Sequence, residues 1–414
     1  MSPKYIAILI FLLTYIIITG RRLNILKIGR PGGVMLGVLL LIIFKVITPD
    51  KTIILVNWDT ILLLLGMMII IEHLSEAGFF NVLAAKIDSY NLSDKNLLAV
   101  VVFVFGGLAA FLVNDVVCIF MTPLLIIMIK QRNLNPLPFL LALATATNLG
   151  GAITFTGNPQ NMIVGTLSKL SYSKYFLLML PIGIITLIIN YIILLKLFKN
   201  ISAEKKQNLS NISKTAKKPL FKRSIFAIIL VIILFFAEFN MPWSAIAGAT
   251  FLIVLAHRDE IEILRKIDWN LLLFFSGLFV VIGALKETGA TDYIINYARL
   301  YLKGSTFKQF WIFGILTLFG SNIFANVPYV LVSAEWIKEL SNPDLMWYVL
   351  AFGSTVAGNL TIIGAIANII VIEKARDICE ITFWDYFKFG FPSTIVNFIV
   401  GMNILWLYHI IGLL

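Results

Sequence analysis

Apolar residues run through the chain in stretches of membrane-spanning length, and short polar or basic connections separate them. Each stretch approximates the ~20 residues with which an α-helix crosses a bilayer. The pattern predicts helices at residues 4–20, 32–48, 58–74, 175–198, 224–239, 243–256, 269–286 and 387–413. Four further apolar regions are interrupted by polar clusters, and these are 97–130, 137–168, 307–340 and 345–373.

The composition predicts a membrane protein without a sizeable soluble domain. Hydrophobic residues make up 59% of the 414 residues and charged residues only 13%, and the mean hydropathy is +0.94. No soluble fold buries that much apolar surface. The sequence lacks H-E-x-x-H, G-x-S-x-G and phosphate-binding glycine motifs, so no enzyme is predicted. We therefore expect an all-α integral protein of the cell membrane, with no cofactor beyond a coupling Na⁺.

The distribution of positive charge predicts the topology of the chain rather than binding to nucleic acid. Residues 199–223 carry eight Lys or Arg and one Glu, which indicates a cytoplasmic basic linker. Basic residues of the first loop, Arg30 among them, fall on the same side. These assignments agree if 97–130 is a re-entrant hairpin from the cytoplasm, 307–340 is one from outside, and both termini lie outside. Binding of the linker to acidic membrane lipids is an alternative to a simple solvated connector.

An internal repeat is the strongest signal in the sequence. It predicts two units, 1–198 and 224–414, each with five transmembrane helices and a hairpin. An odd number of crossings gives the units opposite orientations, and inverted repeats with broken helices at the midplane are typical of secondary transporters. At an offset of 211 the matched pairs are Trp58 with Trp269, Gly66 with Gly277, Gly78 with Gly289, Asn148 with Asn359 and, after a one-residue shift, Asn114 with Asn326.

Four polar clusters mark the candidate binding site. Glycine and proline there leave backbone groups without helical partners, which is tolerated in a bilayer only where the groups line a cavity or lie buried in protein. Helix N-termini after each break favour anions, and exposed carbonyls at C-terminal ends favour Na⁺. We therefore expect ligands among Asn114, Asp115, Asn148, Thr154, Thr156, Gly157, Asn158, Asn326, Asn359, Thr361, Gly364 and Asn368.

Asp115 is the acidic residue of these clusters, so we expect it to couple transport to Na⁺ or H⁺. A candidate Na⁺ site lies near Asn114, Asp115, Gly157 and Asn158. Asn158 precedes a proline, as an N-cap residue does. The alternative interpretation is that these residues only cap helices or allow close packing.

The same motifs resemble the ion transporter superfamily, in particular its arsenite permease branch and the related NhaD-type antiporters, P protein and CitM-type citrate carriers. The motifs are Asn114-Asp115 with Thr122-Pro123, Thr147 to Asn161, Ala325 to Pro328, and Gly358 to Asn368. Asn158 is a departure, because many arsenite permeases and the P protein have Asp there. The resemblance implies a homodimer in which a transport domain moves against a scaffold.

Together these features predict a secondary transporter for a small anion or oxyanion-like solute, coupled to Na⁺ or H⁺. A Na⁺/H⁺ antiporter without an organic or oxyanion substrate remains an alternative. An ion channel is a less favoured alternative, because inverted repeats with broken helices are typical of carriers.

Overall fold

The computed structural model describes residues 2–22, 29–198, 218–255, 260–290, 302 and 304–414. Most of the predicted linker, residues 199–217, lies outside this part of the chain. The remaining linker residues, 218–223, form the first turns of a helix. Within the described residues the fold is helical and contains no β-strand.

The described residues of the first half form eleven α-helices, a π-helical turn and a 3₁₀ turn. They are α1 (Pro3–Arg22), α2 (Arg30–Ile43), α3 (Pro49–Leu55), α4 (Trp58–Glu76), α5 (Phe79–Ser89), α6 (Asp94–Val100), the π turn (Val101–Phe105), α7 (Gly106–Leu112), α8 (Asn114–Gln131), α9 (Pro136–Gly151), the 3₁₀ turn (Phe155–Gly157), α10 (Pro159–Ser168) and α11 (Tyr172–Leu197).

The described part of the second half repeats this series. Its elements are α12 (Lys218–Phe236), α13 (Met241–Leu255), α14 (Glu260–Lys266), α15 (Trp269–Glu287), α16 (Thr306–Phe324), α17 (Asn326–Ile337), α18 (Pro343–Ala357), a 3₁₀ turn (Ile362–Gly364), α19 (Ile366–Ala375) and α20 (Phe383–Ile410).

The helices agree with the predicted apolar spans to within a few residues at most ends. Seven helices of the described chain are long and apolar enough to cross a membrane by length and composition. The two limbs of the first hairpin, Asp94–Leu112 and Asn114–Gln131, are both among them. The re-entrant path of this hairpin and the inverted orientation of the halves therefore stay predictions.

The helix boundaries correct one part of the predicted repeat. The offset is 211 from α4 to α15 and from α11 to α20, but it is 207 from Pro136 of α9 to Pro343 of α18. Asn148 is therefore equivalent to Thr355, and its match with Asn359 was wrong. The reason is that α17 is six residues shorter than its counterpart α8, and a longer connection between α19 and α20 largely offsets this difference. Apolar sequence around each asparagine concealed this shift.

The two halves interlock through their equivalent helices. Helix α4 packs against α13, and its counterpart α15 packs against α2, the counterpart of α13. A Cβ added at Gly66 would lie 2.7 Å from the carbonyl carbon of Ala245, and one added at Gly277 would lie 2.6 Å from Val34 Cγ1. The matched glycines therefore serve close helix packing, as small residues do in membrane proteins.

A glutamate in the α12–α13 connection holds the start of α11. Glu238 Oε1 accepts hydrogen bonds from Ser171 Oγ (2.6 Å) and Ser173 N (3.0 Å), and Oε2 accepts one from Tyr172 N (3.2 Å). Burial raises the pKa of Glu238, but these hydrogen bonds outweigh it and hold the pKa below its usual value. The carboxylate form is thus favoured at a helix N-terminus, where negative charge is stabilising.

Candidate functional site

Each hairpin turns at one residue in an unusual backbone conformation. Val113 has φ 63° and Ala325 has φ 65°, a region that L-residues with a Cβ rarely adopt. The turns place Asn114 and Asn326 at the first positions of α8 and α17. Both helices therefore begin with backbone N–H groups that have no acceptor within the helix.

The two broken helices have the same construction. Helix α9 ends at Gly151 and α10 begins at Pro159 after a 3₁₀ turn, and α18 and α19 are separated in the same way. A Cβ added at Gly157 would lie 2.3 Å from the carbonyl oxygen of Gly151, and one added at Gly364 would lie 2.7 Å from that of Gly358. Both glycines are therefore required by a close approach of the backbone to itself.

An asparagine side chain bridges each break. Asn161 Nδ2 donates to the carbonyl oxygens of Gly151 (3.1 Å) and Thr154 (3.3 Å). Asn368 Nδ2 donates to those of Gly358 (2.7 Å) and Thr361 (3.1 Å). These bonds satisfy carbonyls that the breaks leave without helical partners. Sequence reasoning named Asn368 but missed Asn161, which the 207-residue offset would have identified.

Buried asparagines connect the halves by hydrogen bonds. Asn114 Nδ2 donates to Asn148 Oδ1 (2.7 Å), and Asn148 Nδ2 donates to Asn359 Oδ1 (2.8 Å) and Asn368 Oδ1 (3.0 Å). Asn359 Nδ2 in turn donates to the carbonyl oxygen of Thr145 (3.0 Å). Asn114 Oδ1 is buried without a hydrogen-bond partner. The network therefore fixes both sets of breaks against each other and leaves one oxygen acceptor available.

Asn158 caps α10, as its position before Pro159 predicted. Its Oδ1 accepts a hydrogen bond from Asn161 N (2.8 Å). Its Nδ2 donates to the carbonyl oxygen of Gly151 (3.2 Å) and to Thr355 Oγ1 in the other half (3.2 Å). Both ends of the Asn158 amide are thus used in holding the fold.

The three candidate threonines contact neighbouring elements rather than the central cavity. Thr154 Oγ1 donates to the carbonyl oxygen of Ala110 in α7 and lies 3.2 Å from Thr156 Oγ1. Thr361, the counterpart of Thr154, donates to Asn322 Oδ1 in α16 (3.2 Å). The hydroxyls of Thr154 and Thr361 therefore tie each broken helix to its hairpin.

The four breaks surround a central cavity of about 50 Å³. The N-termini of α8, α10, α17 and α19 all contribute to its lining. The predicted residues that line it are Asn114, Asp115, Asn326 and Gly364, whereas Asn148, Thr154, Thr156, Gly157, Asn158, Asn359, Thr361 and Asn368 lie behind this lining. Two further polar residues, Arg30 and Gln160, line the cavity and were missed as site residues.

The position of Arg30 differs from the prediction, which placed this residue in a basic loop. Helix α2 begins at Arg30, two residues earlier than predicted, and the side chain is half-buried. Its presence beside the cavity gives a positive charge among four positive helix ends. The RPGG sequence around Arg30 resembles a helix start, and that is the signal that could have located it.

Asp115 is half-buried in the first turn of α8. It interacts with the charge of Arg30 and with the backbone N–H of Ala367 in the first turn of α19. Its counterpart in α17 is Val327, which also lines the cavity. The first half of the chain therefore supplies an acidic side chain to the cavity lining, and the second half supplies a valine at the equivalent position.

The cavity can hold a small negatively polarised group. Helix N-termini and an arginine stabilise anions, and the amides of Asn114 and Gln160 can form directional hydrogen bonds. One water needs at least ~10–15 Å³ of comparable volume, so about 50 Å³ accommodates a solute of only a few heavy atoms. Among the described residues, no group of three His, Cys, Asp or Glu side chains could hold a metal ion.

The chain is similar in sequence to known transporters. A family model described as a citrate transporter matches residues 13–356. The chain is 29% identical to a putative transporter arsB of Dictyostelium discoideum, over 97% of this chain and 92% of that one. It is also 29% identical to the silicon efflux transporter LSI3 of Oryza sativa subsp. japonica, over 92% and 93% of the two chains.

Solved structures show a similar fold. A structure of Neisseria gonorrhoeae MtrF, described with a class of antimetabolite efflux pumps, covers 97% of this chain and 94% of its own. The TM-score is 0.51 and the sequence identity 13%, so this similarity concerns the fold alone.

Proposed function

Because the chain belongs to the citrate transporter family, we propose that it is a secondary transporter of a small anion or oxyanion-like solute, coupled to Na⁺ or H⁺. One observation carries this proposal. Four helix N-termini, two from each half, meet with Arg30 at one central cavity. Helix N-termini provide N–H donors and a positive electrostatic potential for an anion.

The size of the cavity favours a solute of few heavy atoms. About 50 Å³ suits a trigonal or tetrahedral oxyanion, or its weak acid, better than an extended organic acid. One relative is named a silicon efflux transporter, which fits a solute of this size. We therefore favour an inorganic oxyanion-like solute over citrate.

Asp115 is the proposed coupling residue. Its carboxylate lies in the cavity lining, next to the unpartnered and buried Oδ1 of Asn114. Carboxylate and amide oxygens are suitable ligands for Na⁺, and a carboxylate can instead carry a proton. The proposed Na⁺ position is near Asn114, Asp115, Gly157 and Asn158, and Asn114 and Asp115 are the two of these residues that line the cavity.

Uptake into proteoliposomes tests the function. Arsenite, germanate as a silicate analogue, phosphate and citrate would each be offered under a Na⁺ gradient, a pH gradient or neither. We expect accumulation of an inorganic oxyanion-like solute that depends on one of the two gradients. Accumulation of citrate alone would contradict the proposed solute class, and the absence of gradient-driven uptake of any anion would contradict the function.

A Na⁺/H⁺ antiporter is a second candidate, and the position of Asp115 in the cavity favours it. ²²Na⁺ uptake driven by a pH gradient, with no added transported anion, would support the antiporter. A channel is less favoured, and it would show a conductance far above the turnover of a carrier.

The proposed setting is the cell membrane, with linker 199–223 in the cytoplasm and both termini outside. The basic linker supports this orientation. A homodimer and bound membrane lipid are the further proposed partners. Accessibility of single cysteines to an impermeant thiol reagent in intact cells tests the orientation, and native mass spectrometry tests the dimer.

A further inference from the structure

A second and larger cavity opens beside the central one. It has a volume of about 400 Å³ and shares Asp115, Pro159 and Ile366 with the central cavity. Its opposite end reaches the exposed residues Lys266 and Asp268, at the connection of α14 and α15. The cavity, here called the α14 vestibule, therefore leads from the protein surface to Asp115.

The walls of the α14 vestibule are mainly apolar. Met68 of α4, Phe120 of α8 and Met162 of α10 are among the residues that form them. The ring of Phe120 is stacked on that of Phe80, with 4.8 Å between the ring centroids, which holds it in place. A volume of 400 Å³ lies within the ~300–1,000 Å³ of pockets that bind drug-sized organic molecules. A solute of a few atoms would leave most of this apolar surface without contact.

The charged lining of the α14 vestibule is predominantly acidic. Asp115 lies at the inner end, Glu72 is half-buried in the wall, and Asp268 is at the mouth. Lys266 is the basic residue of the lining, and it is already ion-paired with Glu76. A second carboxylate, Glu262, lies 3.8 Å from Lys266 Nζ. Lys266 therefore shares its positive charge among Glu76, Glu262 and the lining residue Glu72, and the lining contains three acidic residues against this one basic residue.

Arg30 is a basic residue near Asp115, but it lines the central cavity and not the α14 vestibule. Glu72 and Asp268 line the vestibule and do not line the cavity that contains Arg30. Clefts with apolar walls and charges of one sign concentrate ions of the opposite sign. The lining is thus complementary to a molecule with an apolar body and a positive charge.

The residues at the equivalent positions of the other half differ in chemistry and size. The repeat offset of 211 places Gly283 at the position of Glu72, Leu55 at that of Lys266 and Asn57 at that of Asp268. A Cβ added at Gly283 would lie 2.7 Å from Leu55 Cδ2, so the leucine occupies this space. Glu72 and Asp268 of the vestibule lining therefore have no acidic counterparts in the other half.

We propose that the α14 vestibule is a binding site for amphipathic organic cations, with their apolar groups against Met68 and Phe120 and their charge among Glu72, Asp115 and Asp268. The ring of Phe120 adds a cation–π contact. A bound cation closes the path between the surface and Asp115, and it therefore inhibits transport from that side. This inhibition rests on the proposed function, whereas the binding does not.

Binding of radiolabelled tetraphenylphosphonium to the purified protein tests the site. Tetraphenylborate is the matched control, because it has the same shape and the opposite charge. We expect saturable binding of the phosphonium that unlabelled phosphonium displaces and tetraphenylborate does not. Equal displacement by tetraphenylborate, or no saturable binding, would overturn the proposal. Saturable binding without any transport activity would leave the site intact and contradict the transport function alone.

Two double variants separate the charge of the site from the net charge of the protein. Glu72→Gln with Asp268→Asn removes two lining charges, and asparagine can still cap α15, as Asn57 caps α4. Asp50→Asn with Asp344→Asn makes the same charge change away from the lining. We expect at least a tenfold loss of phosphonium affinity in the first variant and less than a twofold change in the second. Equal affinities of the two variants would contradict the proposed site, and the tetraphenylborate comparison remains valid if either variant fails to fold.

Discussion

Replacement of Asn148 by alanine tests whether the asparagine network holds the two halves together. The side chain is 2% exposed, and it accepts a hydrogen bond from Asn114 and donates to Asn359 and Asn368. Asn148→Ala removes all three bonds and leaves one donor and two acceptors buried without these partners. The substitution therefore weakens the contacts between the first hairpin and the two broken helices.

The magnitude follows from the three bonds. Hydrogen bonds between membrane helices contribute about 0.6 kcal/mol each, so three of them give a lower bound of about 2 kcal/mol. A buried polar group without a partner costs roughly 1–3 kcal/mol, so three give an upper range of roughly 3–9 kcal/mol. Water that enters the space left by the side chain reduces this cost. We expect a loss of about 2–5 kcal/mol in the free energy of unfolding.

Equilibrium unfolding in mixed micelles, followed by near-ultraviolet circular dichroism, measures this loss. The matched control is Asn403→Ala, because Asn403 is exposed on α20 and its amide only donates to the carbonyl oxygen of Ile399 (2.8 Å). The control should change stability by less than about 0.5 kcal/mol. Asn359→Ala combined with Asn148→Ala should be clearly non-additive, because the two residues share a bond. Equal stability of Asn148→Ala and Asn403→Ala would refute the reasoning.

Three further perturbations address coupling, backbone packing and pH. Asp115→Asn should abolish gradient-driven transport and leave a monodisperse, folded protein; normal coupled transport by this variant would contradict the coupling role. Gly157→Ala should destabilise by about 1–3 kcal/mol, because the new methyl meets the Gly151 carbonyl oxygen, whereas Gly107→Ala, with nothing within 4 Å, should not destabilise. The lowered pKa of Glu238 gives stability that is present above the usual glutamate pKa of 4.5 and lost as pH falls through the lower, folded value. Thermal unfolding from neutral pH to about pH 3.5 should therefore show a smaller acid-induced loss for Glu238→Gln, and equal losses would contradict this role.

The helices and the positions of their breaks could be predicted from the sequence. Polar clusters within apolar runs have few stable solutions in a bilayer, so Asn114, Asn158 and Asn326 were correctly placed at or beside helix starts. The register of the repeat was harder to predict, because α17 is shorter than α8 and this changes the offset from 211 to 207 without altering the apolar pattern. Asn161 was missed for this reason.

The composition of the cavity lining was the least predictable feature. Arg30 was interpreted as a marker of topology, because positive charge near a helix end usually reports the cytoplasmic side. Its position beside Asp115 depends on the packing of α2 against α15, which joins segments more than two hundred residues apart. The α14 vestibule depends similarly on the difference between Glu72 and Gly283. Which of these two positions lines a cavity could be seen only from the packing of the helices.

The central claim is that helix N-termini from both halves, together with Arg30, form an anion site. A thermal-shift screen of anions and oxyanions, with and without Na⁺, tests it on the purified protein, because a ligand that binds the native state raises its apparent stability. We predict that at least one small oxyanion raises the unfolding temperature, that Arg30→Gln removes this shift, and that Lys51→Gln, at an exposed ion pair, retains it. Stabilisation by Na⁺ alone with no response to any anion, or an anion response that Arg30→Gln leaves unchanged, would contradict the account.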